Sequence, residues 1–173
     1  MTRIAITGTP GTGKTSIASV LRGRGYDVLD MTGYIRDHGL REGYDADRDT
    51  YDVDVERLND SLLEYDDIIF EGHLAHFMDV DLVIVLRCHP EVLETRLRAR
   101  GYGPEKVTEN IQAEVLDVIL FEAVESGAPT FCVDTSYDDV EHTVDEIEDV
   151  MKGKTIGHMP EDISWAEEMD KWF

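Results

Sequence analysis

The sequence predicts a three-layer α/β fold in which helices cover both faces of a five-stranded parallel sheet. Three observations carry that expectation. Continuous apolar runs of strand length, such as 67–71 (DIIFE) and 81–87 (DLVIVLR), read as strands buried on both faces. Stretches with apolar residues at i, i+3 and i+4 separate them and read as helices. The connections are too long for hairpins, so the strands run parallel with helical crossovers.

Arg3 to Thr7 (RIAIT) is an apolar, β-branched run that stops at Gly8, a strand feeding a turn. Helical spacing follows at Ile17, Val20 and Leu21 and ends near Gly23 and Gly25. Tyr26 to Asp30 is the second strand. From Met31 to Asp54 Gly, Tyr and Asp accumulate with little apolar period, which marks an excursion from the core, and Val55, Leu58 and Leu62 mark the next helix. Beyond the two central strands, Pro90 opens a helix carrying Leu93 and Leu97 that ends around Arg100 and Gly101. Past Pro104, Val107, Ile111, Val115, Val118 and Ile119 continue one apolar helical face. Pro129 to Asp134 supplies the fifth strand, and Val140, Val144, Ile147 and Met151 a closing helix. After Lys152 the period fades into a tail, 153–173, where Trp165, Met169, Trp172 and Phe173 have near-helical spacing suited to docking.

With 173 residues, 42% of them hydrophobic, the chain can bury one sizeable core, and residues 1–152 read as one domain. Thirty-eight Asp and Glu against sixteen Lys and Arg give a net charge of −22, which repels polyanions and excludes unaided nonspecific nucleic-acid binding or binding to acidic membranes. The carboxylates are spread over nearly the whole chain, including 45–54 (Asp45, Asp47, Asp49, Asp52, Asp54) and 138–149, and Arg outnumbers Lys eleven to five. Such a dispersed excess predicts a halophilic protein, whose surface repulsion is screened by concentrated salt. No apolar stretch reaches the roughly 18 residues of a membrane span, so a cytoplasmic address is expected. Cys88 and Cys132 end or interrupt apolar runs and read as reduced core thiols.

Gly8 to Thr15 (GTPGTGKT) fits G-x-x-x-x-G-K-[ST] and lies between a strand and the start of a helix, the context that motif requires. Glycines at Gly8, Gly11 and Gly13 let successive backbone N–H groups point at phosphate oxygens, and the helix N-terminus adds partial positive charge. Lys14 is placed to reach β and γ phosphates, Thr15 to ligate Mg2+, Thr12 to complete the loop and Ser16 to touch the α phosphate. The chain has no N-K-x-D and no room for a GTPase's switch apparatus beside further domains, whereas small-molecule and nucleotide kinases fit the length. Glu71, at the carboxyl end of a strand, is a candidate for holding Mg2+ through water. His73 either orients a water or phosphoryl oxygen or packs as a loop histidine, and His76 reads as structural. Arg96, Arg98 and Arg100 precede the Gly/Pro hinge Gly101-Tyr102-Gly103-Pro104, with Lys106 beyond it. A cation on a closing flap suits phosphoryl transfer, which singles out Arg100, while Arg98 reads as part of a solvated face. Arg36, in the excursion, is a candidate for gripping an acceptor's phosphate.

Four segments together resemble the archaeal adenylate kinases of the adenylate kinase isoenzyme 6 family. They are GTPGTGKT at 8–15, EGYD at 42–45, EGHLAH at 71–76 with the following VIVLR, and RGY at 100–102 with K-x-x-E-N-I-Q-A-E at 106–114. The resemblance spans most of residues 1–125. It implies a P-loop nucleotide kinase core, a nucleoside-monophosphate-binding region near 31–54 and a short lid near 99–109. By matching positions, Gly11, Gly13, Lys14, Thr15 and Ser16 take ATP and Arg100 contacts it. This chain departs from the family's eukaryotic members in carrying Glu71-Gly72-His73 where they have Asp-x-His. The region at Asp134-Thr135-Ser136 falls where such kinases pack adenine.

The expected activity is transfer of the γ-phosphoryl group of MgATP to AMP or another nucleoside monophosphate, with some ATP hydrolysis. The family's eukaryotic members also serve in small-ribosomal-subunit maturation. The second expectation is therefore an ATP-switched assembly factor in ribosome biogenesis and rRNA processing that binds a basic small-subunit ribosomal protein. A kinase for another small metabolite would share the phosphate loop and differ in the acceptor region 31–65.

Overall fold

A computed structural model describes residues 2–45 and 50–173. Residues 46–49, with Asp47 and Asp49 of the acidic stretch, lie outside the described residues. Five parallel strands form the central sheet: β1 (Arg3–Thr7), β2 (Val28–Asp30), β5 (Ile68–Glu71), β6 (Leu82–Arg87) and β7 (Thr130–Asp134), in the order β2-β5-β1-β6-β7. Alternate side chains of a strand face opposite layers. Ile4 and Ile6 join Ile69, Ile84 and Val133 under α1 (Lys14–Gly23) and α7 (Val140–Met151). Ala5, Phe70 and Val85 face the other layer, with Met31 and Ile35 of α2 (Met31–Asp37), Leu58 of α3 (Val55–Ser61) and Leu120 of α6 (Val118–Glu125). The register pairs Asp30 with Glu71, Glu71 with Ile6, and Arg87 with Asp134, so the polar strand ends gather along the carboxyl edge.

The structure differs from the sequence reading in two places. The excursion after β2 carries regular elements on either side of residues 46–49, although its sequence has little apolar period. Asp30 caps α2, accepting from the Thr32 amide at 3.0 Å, and β3 (Arg41–Asp45) pairs antiparallel with β4 (Thr50–Val53). Among its described side chains none is fully buried: Tyr44 and Tyr51 pair across the ribbon at 5.1 Å with both exposed and Val53 is partly buried, so no alternation shows in the sequence. The apolar face running from Val107 to Ile119 is two helices, not one. α5 (Pro104–Val115) stops before Asp117, whose φ of 55° turns the chain into α6 while its carboxylate meets Arg87.

A third apolar cluster joins α4 (Pro90–Ala99) to α5 through Leu93, Leu97, Val107 and Ile111. Trp165 and Trp172 of the tail pack against it, and Gln112 donates to the Trp172 carbonyl at 2.8 Å. Earlier in the tail, His158 accepts the Cys132 amide at 2.7 Å, so the chain covers the open edge of β7. Both cysteines are free and buried, and burial pushes both thiols up to about 11. Among the described residues no helix is long and apolar enough to cross a membrane.

Candidate active site

The loop between β1 and α1 takes its shape from glycine. At Gly8, φ is +145° and a Cβ would stand 2.6 Å from the Leu86 carbonyl oxygen. At Gly13, φ is +102° and the space beside the backbone is open. Gly13 is also the N-cap of α1 and offers no side-chain acceptor. The first-turn N–H groups are therefore left to an external acceptor, with the helix dipole behind them, an arrangement suited to an anion.

Two clefts meet at this loop. The larger, about 610 Å³, lies between the loop, Glu71–His73 at the end of β5, Thr32 on α2, and Arg100, Tyr102, Lys106 and Asn110 from the α4–α5 turn and α5. The second, about 380 Å³, lies behind the loop and is lined by Thr12, Ser16, Arg96, Thr135, Asp138 and Thr143. Gly11, Gly13 and Arg100 line both.

The Lys14 ammonium folds back onto the loop and donates to the carbonyls of Gly8 (2.6 Å) and Thr9 (3.0 Å). Burial pulls its pKa down to about 8, with the Glu71 carboxylate opposing. Glu71 is itself buried, which raises its carboxyl above the usual range against the pull of Lys14. Desolvation, and then Lys14, lower His73. Thr15 and Glu71 line the same cleft and offer hydroxyl and carboxylate oxygens, hard donors of the type magnesium takes.

His76 does not reach the cleft. Its Nδ1 lies 3.0 Å from Thr7 Oγ1 and its Nε2 3.2 Å from Glu122, and burial drives it down to about 4, so it packs as the neutral ring. Arg36 lines neither cleft; it is exposed and paired with Asp37 at 2.8 Å. Arg98 pairs with Glu94 on the surface. Arg96 is drawn inward to the Thr135 carbonyl at 2.5 Å and hydroxyl at 3.1 Å, and that hydroxyl donates to the Thr12 carbonyl at 2.7 Å.

Sequence reasoning picked out K-x-x-E-N-I-Q-A-E at 106–114 and took Lys106 as a cation beyond the hinge, but it overlooked that α5 forms a wall of the site. Lys106, Glu109, Asn110 and Ala113 recur at i, i+3, i+4 and i+7 and line the larger cleft, opposite the buried Val107 and Ile111. The polar stripe beside the apolar one was the available signal. It also overlooked the buried pair of Arg87 and Glu114, joined at 2.8 Å, although an arginine ending an apolar run is itself a signal.

The family described as AAA domain matches residues 4–117. A protein of Methanocaldococcus jannaschii named "Putative adenylate kinase" is 47% identical over 157 residues, covering 88% of this chain and 87% of the relative. One of the same name from Archaeoglobus fulgidus is 39% identical over 170 residues, covering 96% and 93%. Among solved structures, shikimate kinase from Bacteroides thetaiotaomicron superposes with a TM-score of 0.62 at 19% identity, covering 87% of this chain and 98% of that one, a likeness of fold. With this fold and these relatives, the chain belongs to the archaeal adenylate kinase family within the AAA-domain proteins.

Proposed function

We propose that the chain is an ATP:AMP phosphotransferase, a nucleoside-monophosphate kinase that moves the γ-phosphoryl group of MgATP to AMP, forming ADP, with some ATP hydrolysis, in the cytoplasm. The observation that carries this reading is the meeting of two clefts at one phosphate loop, with Gly11, Gly13 and Arg100 common to both. The cleft behind the loop, beside Thr135, suits the donor's base and ribose. The larger cleft in front suits the transferring phosphoryl group and the acceptor.

In this reading the loop amides and Lys14 hold the donor phosphates, and Lys14 leaves the carbonyls of Gly8 and Thr9 to do so. Arg100 reaches the charge that develops between donor and acceptor when the lid closes, and Arg36, which lies outside both clefts in this structure, meets the acceptor's phosphate when the excursion moves in. Thr15 and Glu71 would hold magnesium, which supplies charge neutralisation across the phosphate oxygens. His73 orients a water when no acceptor is bound. The acceptor is already an oxyanion, so no covalent intermediate is needed and catalysis is positioning plus electrostatics.

The net charge of −22 favours a second reading, an ATP-switched assembly factor for the small ribosomal subunit that binds a basic ribosomal protein. The same charge supports work in concentrated salt. The test is a coupled ADP-formation assay with ATP alone, with each nucleoside monophosphate, and with a basic ribosomal protein. A rate that jumps only with AMP supports the kinase. A rate that rises only with the protein replaces it with the assembly ATPase.

A further inference from the structure

Glu114 is 2% exposed, yet its carboxylate receives four donors from three parts of the chain. Oε2 accepts from the Thr9 hydroxyl at 2.5 Å. Oε1 accepts from Arg87 Nε at 2.8 Å, from the Cys88 amide at 3.1 Å and from the Trp165 indole N–H at 3.1 Å. Thr9, 1% exposed, belongs to the phosphate loop, and its carbonyl accepts from Lys14 at 3.0 Å and from the Thr12 hydroxyl at 2.8 Å. A continuous chain of hydrogen bonds therefore runs from the tail through α5 into the loop and ends on the lysine.

Neutralising Arg87 does not account for this arrangement. Arg87 also pairs with Asp117, and a counter-ion needs neither a loop hydroxyl nor a tail indole. Thr9 takes the other carboxylate oxygen and Trp165 is a third donor on Oε1, so one buried charge joins segments more than fifty residues apart. α5 also carries Lys106 and Asn110 of the larger cleft, so Glu114 anchors that wall of the cleft to the loop.

We propose that Glu114 is a positioning residue for the phosphate loop, acting through Thr9 on the seat of Lys14, and that Trp165 makes the C-terminal tail part of that anchor. The inference rests on the phosphoryl-transfer reading. It implies that nucleotide binding, which draws Lys14 off the Thr9 carbonyl, is felt at Trp165, and that loosening the tail is felt in turnover.

Thr9→Val carries the test, because it keeps shape and backbone, deletes only the hydroxyl, and leaves the Arg87–Glu114 pair intact. It should lower kcat about tenfold, the effect of losing one hydrogen bond to a charged group, with KM for MgATP within about twofold. Thr9→Ser should restore kcat to within about twofold. Trp165→Phe, which keeps the packing and removes the N–H, should lower kcat about threefold. In a Trp172→Phe background, Trp165 emission should shift on adding MgATP, and the shift should disappear when Thr9→Val is added, with nucleotide binding followed independently by calorimetry. If calorimetry shows normal binding while Thr9→Val retains wild-type kcat and the same emission response, the positioning role is wrong and the functional reading stands. A kcat loss in Thr9→Val that Thr9→Ser does not rescue, accompanied by a drop in Tm, makes the contact purely structural and also overturns the inference. If wild type binds no ATP, the functional reading falls and takes the inference with it.

Discussion

The phosphate loop and the excursion after β2 are built differently. On the phosphate side the loop is held by buried polar contacts: Thr9 on Glu114, the Thr12 carbonyl on Thr135, Lys14 on its own loop carbonyls. In the excursion the ribbon β3–β4 exposes Tyr44 and Tyr51 and meets the core through the partly buried Val53, and Arg36 holds an exposed neighbour. A site that stabilises charge gains from groups fixed in advance in a low-dielectric setting. A site that must close around an acceptor is drawn from less tightly packed elements. Damage on the phosphate side should therefore appear in turnover, and damage on the acceptor side in affinity.

The largest effect should come from Lys14→Ala, which removes the ammonium from the rigid side. We expect turnover to fall at least about 100-fold, roughly 3 kcal/mol, with the fold retained. A folded variant holding more than half the wild-type rate would break the comparison at its strongest point.

Next is pH. Burial places the Lys14 pKa near 8 in the free protein, so the ammonium is present below that value and lost above it. The profile of kcat/KM for ATP should fall about tenfold per pH unit above about 8, while kcat, measured with phosphate already beside the ammonium, should hold to higher pH. Parallel alkaline limbs for the two parameters would mean that bound nucleotide does not interact with Lys14.

Arg36→Ala probes the looser side. The exposed Arg36–Asp37 pair contributes little to stability, so Tm should stay within about a degree. The acceptor's KM should rise several-fold with kcat nearly unchanged. An unchanged KM would leave Arg36 as a surface ion pair and move acceptor recognition elsewhere.

The smallest effect per site is electrostatic screening, which acts on both sides alike. The Debye length falls from about 10 Å at 0.1 M salt to about 3 Å at 1 M, so Tm should climb with KCl and gain most by about 1 M, with NaCl equivalent. Melting curves from about 0.1 to 3 M of each salt would check this. A flat series would remove salt adaptation as the reason for the acidity.

Much of this protein was legible in residue order because local chemistry and burial coincide there. Four of the five strands are runs such as RIAIT and LVIVLR whose two faces are largely covered, so apolarity alone marks them, while the edge strand β2 (VLD) is only partly buried. GTPGTGKT carries its own geometry, because only glycine suits the backbone at Gly8 and Gly13. The family likeness likewise lay in contiguous motifs. Other features depended on packing between distant segments. The described side chains of the ribbon β3–β4 include none fully buried that would impose a period. The break at Asp117 arises where its carboxylate meets Arg87, thirty residues away in sequence. Glu114 reads as one more helical acid until the fold brings Thr9, Arg87 and Trp165 to it. A buried charge is stable only with its partners in place, and nothing local in the sequence states where those partners will be.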